Sequence, residues 1–216
     1  MSERLSAKYA PGTAADVEVL ERANRYRGFF ALDAVTLRHR LFAGGWSPPL
    51  TRELLLRRPA VGVLLYDAEH ALVGLVEQFR VGALAEPGGP WVMEVVAGIM
   101  GPEEDSAAVA RREALEEAGI EDLSLLPICR YLNSPGGTDE VLTLFCGITD
   151  LRGRAGCFGL AHEHEDIRFH VLPEDEVLAG LAAGVYNNAA TIICLQWLAL
   201  NRDRLHSLTT PGRRDP

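Results

Sequence analysis

Between Gly101 and Ile120 the sequence reads GPEEDSAAVARREALEEAGI, and Arg112, Glu113, Glu116 and Glu117 stand one, three and four residues apart. On a helix, at about 100° per residue, these side chains fall within one arc of about 140°. Ala107, Ala108, Ala110, Ala114, Leu115 and Ala118 fill most of the opposite arc; Arg111 also falls there, and the pattern gives no reason for it. Asp105 or Ser106 can cap the start, and Gly119 suits the left-handed residue after the end. Acids in a last turn oppose the helix dipole, and like charges at i,i+4, as in Glu113 and Glu117, cost a few tenths of a kcal/mol. Something outside the helix must compensate. Clustered carboxylates suit magnesium, a hard cation that takes one or two of them and fills its shell with water and phosphate oxygens. The plainer alternative is a solvated acidic face with Arg112 and Glu116 as an i,i+4 pair.

The elements around this helix read as interleaved strands and helices. Val35, Leu37, His39 and Leu41 alternate with polar neighbours, the period of a half-buried strand, inside a strand-rich front piece from Val17 to about Leu56. AVGVLLYDAEHALVGLVEQFR reads as two buried strands joined at Asp67–His70, and WVMEVVAGI as one more. LSLLPICRYL and EVLTLFCGIT read as strands flanking the loop NSPGGTDE, and IRFHVL alternates with Ile167, Phe169 and Val171 on one side. Helices are predicted over residues 174–183 and 188–204, the latter with an apolar stripe through Ile192, Leu195, Trp197 and Leu198. Hairpin-like neighbours favour a mixed sheet over a purely parallel one.

Composition bounds what such a site can serve. The 216 residues are 48% apolar and 24% charged, with net charge −9. This is a globular composition, and the acidity disfavours nucleic acid or an anionic membrane surface as partner. Cys129, Cys146, Cys157 and Cys194 form no CxxC pair and read as buried or incidental thiols in a reducing compartment. No signal peptide or membrane span is evident, so the expected location is cytoplasmic.

Gly98, five residues, Glu104, seven residues, then Arg112-Glu113-Ala114-Leu115-Glu116-Glu117-Ala118-Gly119-Ile120 resembles the Nudix box throughout. The resemblance implies an α/β/α sandwich with a mixed β-sheet that hydrolyses a diphosphate linked to another group. YRGFF, RHRLF, EQFRVGA, EVVAGIM, NSPGGTDE, EDIRFH and NNAATIICLQWL further resemble the ADP-ribose pyrophosphatase branch, as does Pro135, sixteen residues beyond Gly119. That branch implies residues 1–57 as a small N-terminal antiparallel β subdomain and dimer contact. Residues 58–208 would form the hydrolase domain, and 209–216 a flexible tail.

Carried over by position, the resemblance implies that Mg2+, or Mn2+ in its place, is bound by the Ala97 carbonyl, Glu113, Glu117 and Glu165. Glu116 lies close by and Arg112 orients the glutamates. Glu163 is implied as catalytic base; without the resemblance it and Glu165 are interchangeable. Phe29 and Arg52 would sandwich adenine, one of them from the second subunit of a homodimer. Phe30, Glu53 and Ile99 are counted with the substrate contacts. Arg80 and Arg57 would hold the diphosphate, and Ser134, Pro135, Gly136 and Glu140 the terminal ribose. Gly98 and Gly119 are the box glycines. Against these stand plainer roles: Phe29 or Phe30 in a core, Pro135 stiffening a turn, Arg80 as a surface cation, and Trp91 and Trp197 in packing. His162 and His164 flank Glu163 without the HExxH spacing of a zinc protease helix. A GDP-mannose or other nucleotide-sugar pyrophosphatase and a non-catalytic nucleotide-sugar sensor remain as alternatives to the ADP-sugar reading.

Overall fold

The structure, a computed structural model, describes residues 12–209. The described residues divide into two compact units, one holding residues 12–57 together with Asn133–Glu140, the other Arg58–Leu132 and residues 141–209. The first unit is a three-stranded antiparallel sheet of β1 (Val17–Arg27), β2 (Ala31–His39) and β3 (Leu50–Leu56). Loop 133–140 adds to it through a parallel bridge from Leu55 to Thr138. The alternation expected to run to Leu41 stops at His39, and Leu41 is exposed.

The second unit is built on an eight-stranded mixed sheet. Its strands are β4 (Ala60–Asp67), β5 (Leu72–Phe79), β6 (Trp91–Glu94), β7 (Val96–Ile99), β8 (Ser124–Leu132), β9 (Val141–Ile148), β10 (Gly156–Phe158) and β11 (Ile167–Pro173). The order is β10-β11-β5-β4-β9-β8, with β6 on β5 and β7 on β4; β4 and β9 run parallel. Val61 through Asp67 are all buried, as a central strand covered on both faces requires. Val61, Val63 and Leu65 pack with Val109, Ala110, Ala114 and Ala118 of helix α1 (Ser106–Ala118). Leu64 and Tyr66 face Val177 of α2 (Glu174–Ala182) and Cys194, Leu195 and Leu198 of α3 (Ala189–Thr209). Two helical layers thus enclose the sheet. No helix among the described residues is long and apolar enough to cross a membrane.

Three sequence expectations change. WVMEVVAGI is two strands, because the chain leaves β5 and joins β4 at Val95. GCF forms the short strand β10, too brief to show a period, and the loop after it contains a 3-10 turn at Ala161–Glu163. α3 begins one residue later than expected and continues to Thr209, so the flexible tail expected over 209–216 overlaps this helix at Thr209 and otherwise lies outside the described residues.

The α2–α3 side carries one buried polar knot. Tyr66 donates to the Glu174 carboxylate, which Arg202 reaches at 2.9 Å and His206 at 3.0 Å. Glu174 is 1% exposed, so losing its hydroxyl donor leaves a carboxylate oxygen short of a partner. Tyr66→Phe is therefore expected to destabilise the protein by about 1–3 kcal/mol. At this size that lowers the thermal midpoint by about 2–4 °C per kcal/mol, checked by calorimetry, with turnover unchanged.

Candidate active site

α1 forms where it was expected. Asp105 Oδ2 accepts the Ala108 N–H at 3.0 Å as N-cap. Gly119, at φ 65°, closes the other end, with its N–H on the Leu115 carbonyl and the Ile120 N–H on the Ala114 carbonyl. A side chain at Gly119 would also strike the Phe158 ring. Arg111, unexplained by the sequence, donates to the Leu123 carbonyl at the entry to β8.

The helix faces are not divided as the sequence suggested. Glu113 and Glu117 are 8% and 3% exposed, inside the packed face, while Leu115 is 46% exposed. Residues 109, 113 and 117 form an i,i+4 row beside the row 110, 114 and 118, and both rows lie against the sheet. Small residues permit this close approach. A Cβ on Gly98 would lie 1.8 Å from Glu113 Oε1 and 2.4 Å from its Cγ, so only glycine leaves room for that side chain over β7. Glu117 Oε2 accepts the Ala97 N–H at 3.1 Å from the same strand.

Burial raises the Glu113 carboxyl to about 7, against the Arg112 cation and assisted by Glu116, Glu165 and Glu163. Burial raises Glu117 further, to about 8, against the Ala97 N–H, with Glu113 adding repulsion and Arg80 relieving part of it. Arg112 sits among these groups, 2.9 Å from Glu113, 3.3 Å from Glu116 and 3.9 Å from Glu104, with a long contact of 3.5 Å to the Ile99 carbonyl. One guanidinium does not neutralise this many carboxylates. Paired hard oxygens that burial would otherwise protonate fit a divalent cation, with the Ala97 carbonyl as a further donor.

The acidic loop after β10 is tied to the same helix. The Gly159 N–H reaches the Glu116 carbonyl at 3.3 Å, and at φ 106° a side chain there would collide with Glu165. Glu165 Oε2 accepts the Leu160 N–H at 3.1 Å, whereas Glu163 is exposed at the end of its turn beside His162 and His164. Arg80, following β5, is held by Glu94 at 2.6 Å. Glu94 was missed in the sequence; its only signal was a charge within an apolar strand. Gln78 was missed too. It lies on the Val76 and Arg80 side of β5 by strand alternation, and its buried Nε2 has no partner among the described residues. Trp91, assigned to packing, is 62% exposed, with its ring edge-on to Phe79. Trp197 does pack against the core.

The remaining predicted residues belong to the first unit. Phe29 is 80% exposed and edge-on to Phe30, which is half-buried under the Arg57 guanidinium at 4.7 Å. Arg57 pairs with buried Glu140 at 2.9 Å, and Glu140 also accepts from Asn133. Ser134, at φ 59°, turns the loop that carries Pro135 and Gly136. Arg52 and Glu53 are exposed on β3. A separate set, Asp67, His70 and Asp150, has ligand atoms within 4.8 Å of each other. Asp67 lies five residues along β4 from Gly62, the partner of Ala97, and so about 17 Å from it. Its oxygens are already used by the Glu69, His70 and Leu151 N–H groups.

The NUDIX domain pattern matches residues 56–193, more than half the chain. The chain belongs to the NUDIX family. It is 42% identical over 190 residues to the ADP-ribose pyrophosphatase of Escherichia coli (strain K12), covering 88% of this chain and 91% of that one. The ADP-ribose pyrophosphatase of Haemophilus influenzae is 40% identical over 193 residues, 88% and 89% of the two chains. A GDP-mannose pyrophosphatase of Cronobacter sakazakii is 34% identical over 151 residues, 69% and 78%. A crystal structure of an ADP compounds hydrolase superposes with TM-score 0.65 at 17% identity, covering 93% of this chain and all of that one, a likeness of fold.

Gly98→Ala tests the packing of Glu113 directly. The added methyl is expected to push the carboxylate away and lower kcat by about 10²-fold, the cost of roughly 1 Å of misplacement. Circular dichroism should show the fold retained.

Proposed function

We propose that this NUDIX protein hydrolyses the diphosphate of ADP-ribose and related ADP-sugars to AMP and a sugar phosphate, using Mg2+ or Mn2+. The observation that carries the reading is the side-by-side burial of Glu113 and Glu117 over Gly98 and Ala97, a donor set in need of a divalent cation. Glu113, Glu117, Glu165 and the Ala97 carbonyl would hold it. Bound there, the cation neutralises the diphosphate and assists the attacking water and the leaving oxygen.

The chain's own groups supply the rest. Water attacks phosphorus, the phosphoanhydride P–O bond breaks, and the leaving phosphate keeps that electron pair. Glu163, exposed and on a short turn, accepts the water's proton, an effect worth about 10²–10⁴-fold. Arg80, aimed by Glu94, grips phosphate oxygens with its planar fork. Arg112 keeps Glu113 and Glu116 in place. Adenine recognition is assigned to Phe29 and Arg52, one of them from a second copy in a homodimer that uses the N-terminal sheet, with Phe30 and Glu53 alongside. Ser134, Pro135, Gly136 and Glu140 are assigned to the terminal ribose, and Arg57, which pairs with Glu140, to the diphosphate. Exposed Val17, Val19, Leu20 and Tyr26 on β1 support the homodimer, and unpaired thiols support a cytoplasmic setting.

Incubating the protein with Mg2+ and equal amounts of ADP-ribose, ADP-glucose, GDP-mannose and NADH, with Glu163→Gln as control, tests this. AMP should appear fastest from ADP-ribose and fall at least about 10²-fold in the variant. GMP appearing fastest from GDP-mannose would transfer the specificity to the GDP-mannose class, and an unimpaired variant would remove Glu163 from the role of base.

A further inference from the structure

A strand that changes partners leaves backbone groups without their ladder bonds at the crossing. Glu94 is the last residue of β6, opposite Val76, and Val96 begins β7 opposite Val63. The groups on either side of Glu94 are taken up by the start of α3. The Met93 carbonyl accepts from Asn188 Nδ2 at 2.9 Å, and the Val95 N–H donates to Thr191 Oγ1 at 3.0 Å. Both Val95 and Thr191 are buried. Asn188 uses its other amide atom as the helix cap, its Oδ1 accepting the Thr191 N–H at 3.1 Å.

What hangs on this crossing belongs to the active site. Glu94, between the two anchored groups, fixes Arg80, and Ala97, two residues beyond Val95, meets Glu117. We propose that Asn188 and Thr191 are positioning residues for the hydrolysis, holding the Met93–Val95 crossing so that Arg80 and the Ala97 carbonyl stand in register with α1. They act through the crossing and touch neither substrate nor cation. The proposal rests on the reading of the α1 face as the cation and diphosphate site. Without the Thr191 hydroxyl the Val95 N–H is buried and unpaired, a cost relieved when the crossing shifts toward another acceptor.

A merely structural cap would affect stability alone, so the test separates the two roles. Thr191→Val keeps the shape and removes the acceptor, and Thr191→Ser keeps the acceptor. Asn188→Asp keeps a good helix cap and removes the donor to Met93. The readouts on the full-length protein are kcat and KM for AMP release, the affinity for Mn2+ alone by electron paramagnetic resonance, and the thermal midpoint. Thr191→Val and Asn188→Asp are each expected to lower kcat/KM at least about tenfold, mostly in kcat, and to weaken Mn2+ severalfold, on the scale set by misplaced groups. Thr191→Ser should stay within about twofold of the parent on the same scale. Should Thr191→Val fail to fold, the Asn188→Asp and Thr191→Ser pair decides. Unchanged kcat and Mn2+ affinity in the folded variants, whatever their midpoints, would overturn the proposal. A parent protein that neither binds Mn2+ nor releases AMP would instead overturn the reading on which it rests.

Discussion

Two carboxylates buried next to each other are the constraint around which this site is organised. Moving ionised groups out of water costs several kcal/mol each unless charge and hydrogen bonds replace the lost solvent. For Glu117 the protein supplies one backbone N–H and the partial help of Arg80, and for Glu113 one shared guanidinium. Under the proposed function a divalent cation would fill that deficit, and an anionic substrate's oxygens would complete its shell. The opening puzzle of like charges at the end of a helix thus has an electrostatic answer, sharper than the surface pattern implied because the acids lie within the core-facing side.

Keeping those carboxylates in place falls to neighbours with little chemistry of their own. Ala110, Ala114 and Ala118 bring α1 down onto β4, and Gly98 leaves the space Glu113 occupies. Gly119 ends the helix against Phe158, whose strand leads into the Glu163 and Glu165 loop, and Gly159 ties that loop back to Glu116. The splayed pair β4 and β5 is bridged by β6 and β7, which carry Glu94 and Ala97. Gly98 is therefore a packing requirement imposed by Glu113, and Gly119 one imposed by the left-handed helix end and Phe158.

Much of this was legible in the sequence, and what was not has identifiable causes. α1 was legible because cap, period and terminal glycine agree, with the structure choosing Asp105 over Ser106 as the cap, and the apolar run of β4 announced a buried strand. The partition of the α1 surface was misjudged because a helical wheel ranks Glu as solvent-facing and cannot see that Gly98 opens a place for it. The change of strand at Val95 left no mark in WVMEVVAGI, since its stabilising partners, Asn188 and Thr191, come from a helix nearly a hundred residues later. β10 was too short for a period to register, and Glu94 gains its meaning only from Arg80 nearby.

The central claim, that burial of Glu113 and Glu117 creates the cation site, is tested most directly by thermal unfolding with and without Mg2+, in the parent and in Glu117→Gln. A ligand that binds only the folded state stabilises by RT ln(1 + [L]/Kd), about 2.7 kcal/mol at one hundred times Kd. The account predicts a clear Mg2+-dependent rise in the parent midpoint. In Glu117→Gln it predicts a metal-free midpoint at or above the parent's, with the Mg2+ response lost. An equal Mg2+ response in both proteins would contradict it.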